Sequence, residues 1–468
     1  MRPRRYQLTK QAAAIIGRGH PWIFRDQLSS AARVFQGGDW LSLVDGANRV
    51  VAHGIFEAEG AIAIRVLRRG PERPDAAWLR GRLTDALARR APLAARTDGI
   101  RLVHGESDGV PAVVVDRFGD TLVATSYSAG ADALARYAAR ALSGAPAATS
   151  SRTAGEAAVA GEAATADQAD ATIAAADATT AAAGADATVA AADATVAAAG
   201  IAHALVRPAH RRIAPAPAPA APATPAGAAP PAPRVIRGAP PAIARFTEDG
   251  LPFAVDLAAG QKTGTYLDLR GLRRAVATAP LAGARVLNLF AYTGMLGRAA
   301  ESAGAASITQ VDASERALAF AAAHHIVDPA RHRFVTADVL AWLPTLPPDD
   351  GFDLVIVDPP AMTSRKAQVP AVLAAYRKLY RAAARQVRAG GAVVAACCTS
   401  RVPRATFHRV VGEALGPGFT MERELPPEPD HPVGFPEADY LKIAWWRRAT
   451  TLAAAAPAAP ASPAPGVE

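Results

Sequence analysis

Cysteine is nearly absent: Cys397 and Cys398, side by side, are the only two in 468 residues. Neither a disulfide framework nor a cysteine-based zinc cluster can be built from them, and a reducing, cytosolic setting fits that usage. Lysine is also scarce, five of 51 basic residues (Lys10, Lys262, Lys366, Lys378 and Lys442), and only 6% of the chain is aromatic although 50% is hydrophobic. Long apolar runs are missing too. The Ala-rich stretch 171–200 carries Asp177, Asp186 and Asp193 and almost no large apolar side chain, which excludes it as a membrane span. The basic start, Met1-Arg2-Pro3-Arg4-Arg5-Tyr6, leads into an apolar run at 12–16 that is too short for a signal peptide. The expectation is a soluble cytoplasmic protein without membrane contact.

Proline and glycine, by contrast, are plentiful at 38 and 37, enough to suggest that part of the chain never packs. Residues 145–233 are built from Ala, Thr, Pro and Gly, with near-repeats such as Asp170-Ala171-Thr172-Ile173-Ala174-Ala175-Ala176 and Asp193-Ala194-Thr195-Val196-Ala197-Ala198-Ala199. Methyl side chains bury too little area to offset the ordering entropy, so this segment reads as a disordered insertion and 449–468 as a tail of the same kind. The insertion carries seven acids and four arginines. The formal charge of +9 therefore belongs to the folded parts and favours a polyanionic partner such as RNA.

Residues 1–70 hold 11 Lys plus Arg against 5 Asp plus Glu. They read as short strands at 41–44, 50–55 and 61–67 between Gly-Asp and Asp-Gly turns, the pattern of a small basic β-barrel over 1–72. Arg4, Arg5, Arg18 and Arg25 are its candidates for phosphate contact. The blocks 73–144 and 234–255 read as an α+β middle domain, with a helix spaced by Trp78, Leu79, Leu83 and Leu87.

From about residue 246 short apolar runs alternate with helical periods, the mark of an α/β fold with a parallel sheet. Strands are expected at 285–289, 308–311, 333–335, 354–357 and 392–396, with 419–424 and 440–446 completing seven. Ligands in such sheets sit beyond the C-terminal strand ends. The first strand runs into Asn288-Leu289-Phe290-Ala291-Tyr292-Thr293-Gly294, where Gly294 would let the backbone approach a ligand. The second ends at Asp312, whose carboxylate can accept from both ribose hydroxyls, as in NAD and S-adenosylmethionine proteins alike. Asp338 follows the third, suited to an adenine amino group. Singly, Asp312 and Asp338 are as well explained as caps of the next helix.

The fourth strand runs into Asp358-Pro359-Pro360. Two prolines fix an extended bend that aims the carboxylate at the pocket. Nucleobase methyltransferases hold an exocyclic amino group or ring nitrogen in this way, and the plainer alternative is a rigid turn with Asp as a local cap. The fifth strand ends in Cys397-Cys398. Cysteine is usually a small buried hydrophobe, but carbon 5 of a pyrimidine becomes nucleophilic only after a thiolate adds at carbon 6, so thiols at this position bear on the substrate. Both faces of a central parallel strand are buried, and side-chain alternation alone does not choose between the two. His324 and His325 read as surface helix residues with no metal site around them, and Trp445 and Trp446 as strand packing.

These motifs together resemble the bacterial 23S ribosomal RNA cytosine-5 methyltransferases, which join an N-terminal PUA domain to a class I methyltransferase domain. Arg18-Gly19-His20-Pro21-Trp22-Ile23-Phe24 is similar to the start of the PUA barrel. Gly105-Glu106-Ser107-Asp108-Gly109-Val110-Pro111 and Asp116-Arg117-Phe118-Gly119 are similar to the central domain, and Lys262-Thr263-Gly264-Thr265-Tyr266-Leu267-Asp268 to the motif before the first sheet strand. Residues 288–294, Asp358-Pro359-Pro360 and Asp430-His431-Pro432-Val433 match the rest. The chain departs from the family at Ala361, where Lys is usual, and at Ala375-Tyr376-Arg377-Lys378, where the family has Gly-Tyr-Lys-Asp. It also has His324 or His325 for an Asn, and Leu269 for a Gln.

The resemblance implies a Rossmann-like, seven-stranded class I methyltransferase at 256–448 behind a PUA-like barrel and the middle domain. It implies S-adenosylmethionine held by Asn288, Phe290, Gly294, Asp312, Asp338 and Asp358. The reaction would form 5-methylcytosine in ribosomal RNA, with Cys398 as catalytic thiol and Asp358 on the base. Two rival readings stay open: methyl transfer to an amino nitrogen of a base or to protein, and a non-catalytic RNA-binding protein that keeps the fold. Monomer and homodimer are equally open.

Overall fold

A computed structural model describes residues 4–144, 200–209, 232–258, 260, 263–347, 351–363 and 366–450. Most of the expected insertion, 145–199 and 210–231, lies outside the described residues, as do Lys262 and the tail from 451. The chain divides into two compact units, Met1–Gly271 with Pro427–Asp439, and Leu272–Pro426 with Tyr440–Glu468. Among the described residues no helix is long and apolar enough to cross a membrane.

In the first unit, β1 (Arg4–Gln7), β2 (Trp22–Phe24), β3 (Trp40–Val44), β4 (Val50–Phe56) and β5 (Ile62–Arg69) form a sheet in the order β1-β3-β4-β5-β2. It closes over Tyr6, Ile16, Ile23, Leu41, Leu43 and Ile64. Periodicity misses β1 and β2, which at four and three residues are too short to show alternation. These two end strands do not pair with each other, so the expected barrel is open along that seam. Helix α1 (Lys10–Gly17) is capped at its start by the Thr9 side chain and ends at Arg18.

A second sheet follows in the order β10-β9-β8-β7-β6, from β6 (Gly99–His104), β7 (Val113–Phe118), β8 (Thr121–Ser126), β9 (His203–Pro208) and β10 (Arg234–Arg237). Leu79, Leu83 and Leu87 of α2 (Ala76–Ala94), and Leu134, Ala138 and Leu142 of α3 (Asp132–Ser143), share its core with Val103, Val113, Val115 and Leu122. Strand β9 corrects the insertion boundary. The expected disorder at 145–233 contains His203–Pro208, which runs parallel to β8 with Leu205 opposite Val123. Its apolar run, Ala204-Leu205-Val206, is too short to stand out beside low-complexity sequence. The hairpin β11 (Ile243–Glu248) and β12 (Leu251–Asp256) turns on Asp249 and Gly250, both with positive φ, as a tight hairpin requires.

A buried ionic network sets the limits of this unit. Asp430 is fully buried; its Oδ1 accepts from Arg270 Nη1 and His431 Nδ1, both at 2.9 Å, and its Oδ2 accepts from the Arg101 backbone N–H at 3.0 Å. Arg90, also fully buried, donates to both oxygens of Asp108 at 2.9 and 2.6 Å and to the Asp430 carbonyl at 3.1 Å. Arg101 grips Asp116 with two bonds at 2.8 and 2.9 Å, and Thr263 donates to the same carboxylate at 2.5 Å. Thr263 and Arg270 are thus held in the first unit, and the second begins at Leu272 where the sequence suggested 256. Burial alone would raise the Asp430 carboxyl, but His431 and Arg270 beside it hold it well below the usual carboxylate range.

The second unit is one seven-stranded sheet in the order β15-β14-β13-β16-β17-β19-β18: β13 (Arg285–Leu289), β14 (Ser307–Asp312), β15 (His332–Thr336), β16 (Phe352–Val357), β17 (Val387–Cys397), β18 (Phe419–Leu425) and β19 (Lys442–Arg448). The first five are mutually parallel, and β19 runs antiparallel between β17 and β18. Runs such as Leu354-Val355-Ile356-Val357 are buried on both faces, as a covered parallel strand requires. Helices α4 (Met295–Ser302), α5 (Glu315–His324), α6 (Val339–Trp342), α7 (Val369–Ala384) and α8 (Arg404–Leu415) connect the strands. Trp445 and Trp446 are buried in the sheet, the packing role expected of them. The chain order reverses between β13 and β16, which opens a crevice at their C-terminal ends.

The first unit also carries a proton-linked element. Burial, followed by the neighbouring His431, Arg101 and Arg90, pushes the His104 imidazole down to about 2. Its ordinary value is near 6.5, so between these limits the unfolded chain takes up a proton that the folded chain refuses, and stability falls as pH falls. The loss approaches about 1.4 kcal/mol per pH unit below 6.5. Urea midpoints of the wild type between pH 6.5 and 4.5 are expected to drop more steeply than those of His104→Gln, and equal slopes would remove His104 from the account.

Candidate active site

The crevice is built by loops that leave the sheet at its switch point. After β13 the chain turns through Phe290, Tyr292 and Gly294 with φ of 60°, 47° and 71°. Two non-glycine residues in the left-handed region cost about 1 kcal/mol each, and hydrogen bonds hold them there. The Tyr292 N–H donates to Asp312 Oδ2 at 2.8 Å, the Ala291 N–H to the Val311 carbonyl at 2.9 Å, and His325 Nδ1 to the Thr293 carbonyl at 2.5 Å. His325 is buried, 2% exposed. This corrects its reading as a surface residue; the ring is turned inward to brace the loop. At Gly294 a Cβ would come within 2.8 Å of Ala321 Cβ and Gln310 Oε1, so glycine is required for both conformation and space.

Asp312, at the end of β14, is half-buried and takes one backbone N–H on each oxygen, from Tyr292 and from Ser314, both at 2.8 Å. Each oxygen keeps a lone pair, which suits a diol such as a ribose edge. Asp338 is exposed and caps α6, its Oδ1 accepting from the Leu340 N–H at 2.9 Å. Phe290 is half-buried at the head of the loop. Asn288 lies deeper: it is wholly buried, donates to Gln310 Oε1 at 3.3 Å, and its Oδ1 has no hydrogen-bond partner among the described residues. The strained loop, the glycine approach and the carboxylate that secures the loop with acceptor capacity to spare fit a nucleoside-bearing cofactor.

Across the switch point, Asp358 ends β16 and is half-buried, followed by the buried Pro359 and exposed Pro360. β17 delivers the thiols. Cys397 is fully buried and its Sγ accepts from the Tyr376 hydroxyl of α7 at 3.3 Å. Cys398, one residue on, is half-buried, and its Sγ donates to the Pro359 carbonyl at 3.7 Å. Successive side chains of extended backbone point to opposite sides, so one thiol is packed against α7 and the other meets the Asp358-Pro359-Pro360 loop. The two thiols, equivalent in the strand pattern, thus differ in burial because of α7.

Sequence reasoning missed the residues that lock this junction. The Tyr376 hydroxyl also lies 3.4 Å from Thr399 Oγ1, which accepts from the Met362 N–H at 3.3 Å. Lys442, 1% exposed, donates to the carbonyls of Thr399 and Tyr440 at 3.1 and 2.9 Å. Burial, then the Cys397 thiol, pushes the Tyr376 hydroxyl well above the ordinary phenol range, so it stays a donor. The departing motif Ala375-Tyr376-Arg377-Lys378 contained the signal, a tyrosine at a helix position 21 residues before Cys397, but sequence alone does not show which way it faces.

The four arginines assigned to phosphate contact differ sharply. Arg4 donates to Asp39 at 2.7 Å and to the Val34 carbonyl at 2.6 Å, and Arg5 to the Asn48 carbonyl at 2.8 Å. Arg25 is half-buried and donates to the Gly60 and Glu57 carbonyls at 2.8 and 2.7 Å. Arg18 is exposed, and its side chain makes no hydrogen bond or ion pair with a described residue.

Comparison with known proteins agrees with this geometry. Residues 230–441 match the family model described as S-adenosylmethionine-dependent methyltransferase, and 7–69 match that of a PUA-like domain. The chain is 31% identical over 457 residues to a ribosomal RNA large subunit methyltransferase of Deinococcus radiodurans, covering 94% of this chain and 96% of that one. The protein belongs to this family of S-adenosylmethionine-dependent methyltransferases. A ribosomal RNA large subunit methyltransferase I of Klebsiella pneumoniae is 27% identical over the same shares of the two chains. Among solved structures, an S-adenosylmethionine-dependent methyltransferase from Streptococcus mutans superposes with a TM-score of 0.68 at 17% identity, over 95% of this chain and all of that one. A methyltransferase complexed with SAH gives 0.69 at 18% over the same shares. At such identities these structures speak for the fold.

In this methyltransferase Tyr376 is expected to act through the loops it joins. Tyr376→Phe removes one hydroxyl and leaves the ring packed against Phe407 at a centroid distance of 5.5 Å. Loss of a hydrogen bond is worth about 1 kcal/mol. The expected outcome is a roughly fivefold lower kcat for methyl transfer, with S-adenosylmethionine affinity within twofold by calorimetry. An unchanged kcat would reduce Tyr376 to packing.

Proposed function

We propose that the protein methylates carbon 5 of a cytosine in the large-subunit ribosomal RNA, with Cys398 as nucleophile. Support comes from the thiols: Cys398 Sγ stands 3.7 Å from the carbonyl of Pro359, next to Asp358, while Cys397 is sealed in the core. The names of the relatives from Deinococcus radiodurans and Klebsiella pneumoniae supply the class of RNA. S-adenosylmethionine, when bound, supplies the methyl group as an electrophile. Asp312 would hold its ribose, Asp338 its adenine edge, and Phe290 and Gly294 the wall beside it, with Asn288 supporting that wall from beneath.

The thiolate of Cys398 adds to carbon 6 of a flipped or unpaired cytosine, which makes carbon 5 nucleophilic. Asp358 accepts from the exocyclic amino group and so orients the ring. Once carbon 5 is methylated, a general base takes its proton, the C5–H electron pair re-forms the ring double bond, and the thiolate leaves carbon 6. The PUA-like domain over 1–72 would track RNA phosphates in the cytoplasm through Arg18, while Arg4, Arg5 and Arg25, already engaged by Asp39 and backbone carbonyls, add only to the basic surface. A flipped base must enter a protein pocket, which agrees with the half-burial of Cys398.

Cys398→Ala is expected to abolish methyl transfer, at least a thousandfold, while keeping cofactor affinity; Cys397→Ala keeps most activity. Ribosomal RNA carrying 5-fluorocytosine is expected to form a covalent adduct with the wild type, seen as a gel shift that survives denaturant, because fluorine cannot leave as a proton does. Methylation by Cys398→Ala with no adduct would instead put the methyl group on an amino nitrogen held by Asp358.

A further inference from the structure

We infer that a second cavity, in the first unit, binds one unpaired nucleotide of the RNA, with its base against Phe24, His20 and Phe435 and its phosphate on Arg18. This rests on the RNA-methyltransferase reading for the class of ligand, but on its own residues for the site. The cavity is a shallow, open one of about 450 Å³, lined by Arg18, Gly19, His20, Phe24, Phe435 and Glu437 among others, a size in the range of small-ligand sites. Two stretches of chain more than 400 residues apart are brought together here, because Asp430 and His431 are anchored in the buried network five residues before Phe435.

The walls are rigid and aromatic. His20 Nε2–H donates to Glu437 Oε2 at 3.0 Å, and Nδ1 lies 3.1 Å from the Trp22 nitrogen and 3.0 Å from the Trp22 carbonyl oxygen, which fixes the ring. The His20 ring lies 5.8 Å from Phe24 and 6.0 Å from Phe435, and Phe435 meets Trp22 edge-on at 4.7 Å. Gly19, at φ 90°, has its carbonyl held by Arg69. Rings fixed in advance offer stacking area without an ordering cost, and every nucleobase has a face that can use it.

The charges select the ligand class. Arg18, the one assigned arginine without an intramolecular partner among the described residues, stands at the rim where a phosphate would follow the base. The Glu437 carboxylate keeps acceptor capacity for an amino or imino N–H of a base edge and opposes a second phosphate at that side. One cation, one acceptor and several rings make a site for a single nucleotide rather than for a duplex backbone.

The test is fluorescence anisotropy of a labelled single-stranded oligocytidylate at low salt, with wild type, Arg18→Ala and Phe435→Leu. Both substitutions are expected to raise Kd at least fivefold, with S-adenosylmethionine affinity unchanged. Arg18 is exposed, so its variant reports binding even where Phe435→Leu loosens the Trp22 contact. Wild-type affinity in Arg18→Ala together with unchanged or merely unfolded Phe435→Leu overturns the site, as does a wild type that does not bind the oligonucleotide. Methyl transfer to protein-free large-subunit ribosomal RNA separates the two proposals. Transfer with variant-insensitive binding leaves the function and removes the cavity, whereas variant-sensitive binding without transfer leaves the cavity and removes the function.

Discussion

The buried carboxylate of Asp430 is the constraint on which the first unit is arranged. A charge taken out of water costs several kcal/mol unless it is paired and fully hydrogen-bonded, and Asp430 meets that cost with Arg270, His431 and the Arg101 N–H. The consequence is topological. Residues between β18 and β19, which would otherwise be a simple hairpin connection of the second unit, are fixed as part of the first. Phe435 and Glu437 are carried by that same segment, so the aromatic cavity beside Arg18 exists only while the ionic network holds. A family motif with no titrating role in the proposed chemistry, Asp430-His431-Pro432-Val433, thereby acquires a structural reason.

In the second unit the corresponding constraint is the reversal of strand order between β13 and β16. Apart from Asp358, everything assigned to the cofactor comes from the β13–β15 side, as a strained loop tied to Asp312 and a helix cap at Asp338. Everything assigned to the base comes from the β16–β17 side, as a proline-fixed carboxylate and a thiol. An open α/β sheet separates its loops in this way at the switch point without further design, so two reactants can be held from opposite sides by elements that do not compete for the same backbone.

What was legible in the sequence follows from the physics of each element. The seven strands were readable because covered parallel strands are continuous apolar runs, and their ends named Asp312, Asp338 and Asp358 directly. Strands β1, β2 and β9 were not, being too short or set in low-complexity surroundings for alternation to register. The orientation of His325 was misread because a polar residue at a helix end is normally solvated, and only the carbonyl of Thr293 explains its burial. Among the arginines, composition gave a basic surface but could not separate Arg18, which has no side-chain partner among the described residues, from Arg4, Arg5 and Arg25, which are spent on their own backbone and acids.

The adjacent cysteines show how neighbouring residues come to differ in chemistry. Leaving a strand in extended form, Cys397 and Cys398 must face opposite sides, and the position of α7 decides which side is closed. Tyr376 then does two things at once: its hydroxyl occupies Cys397 Sγ, and through Thr399 it reaches the Met362 N–H on the loop that carries Asp358. A shift of that hydroxyl would therefore disturb the loop after β16 and the thiol-bearing loop together. Lys442 fixes the same Thr399 from its carbonyl side, and a buried ammonium with carbonyl partners would not tolerate the loop moving away. The accessible thiol is thus held by its neighbours on either side in the chain, and the accuracy of its placement is set by packing in the core that closes over Cys397.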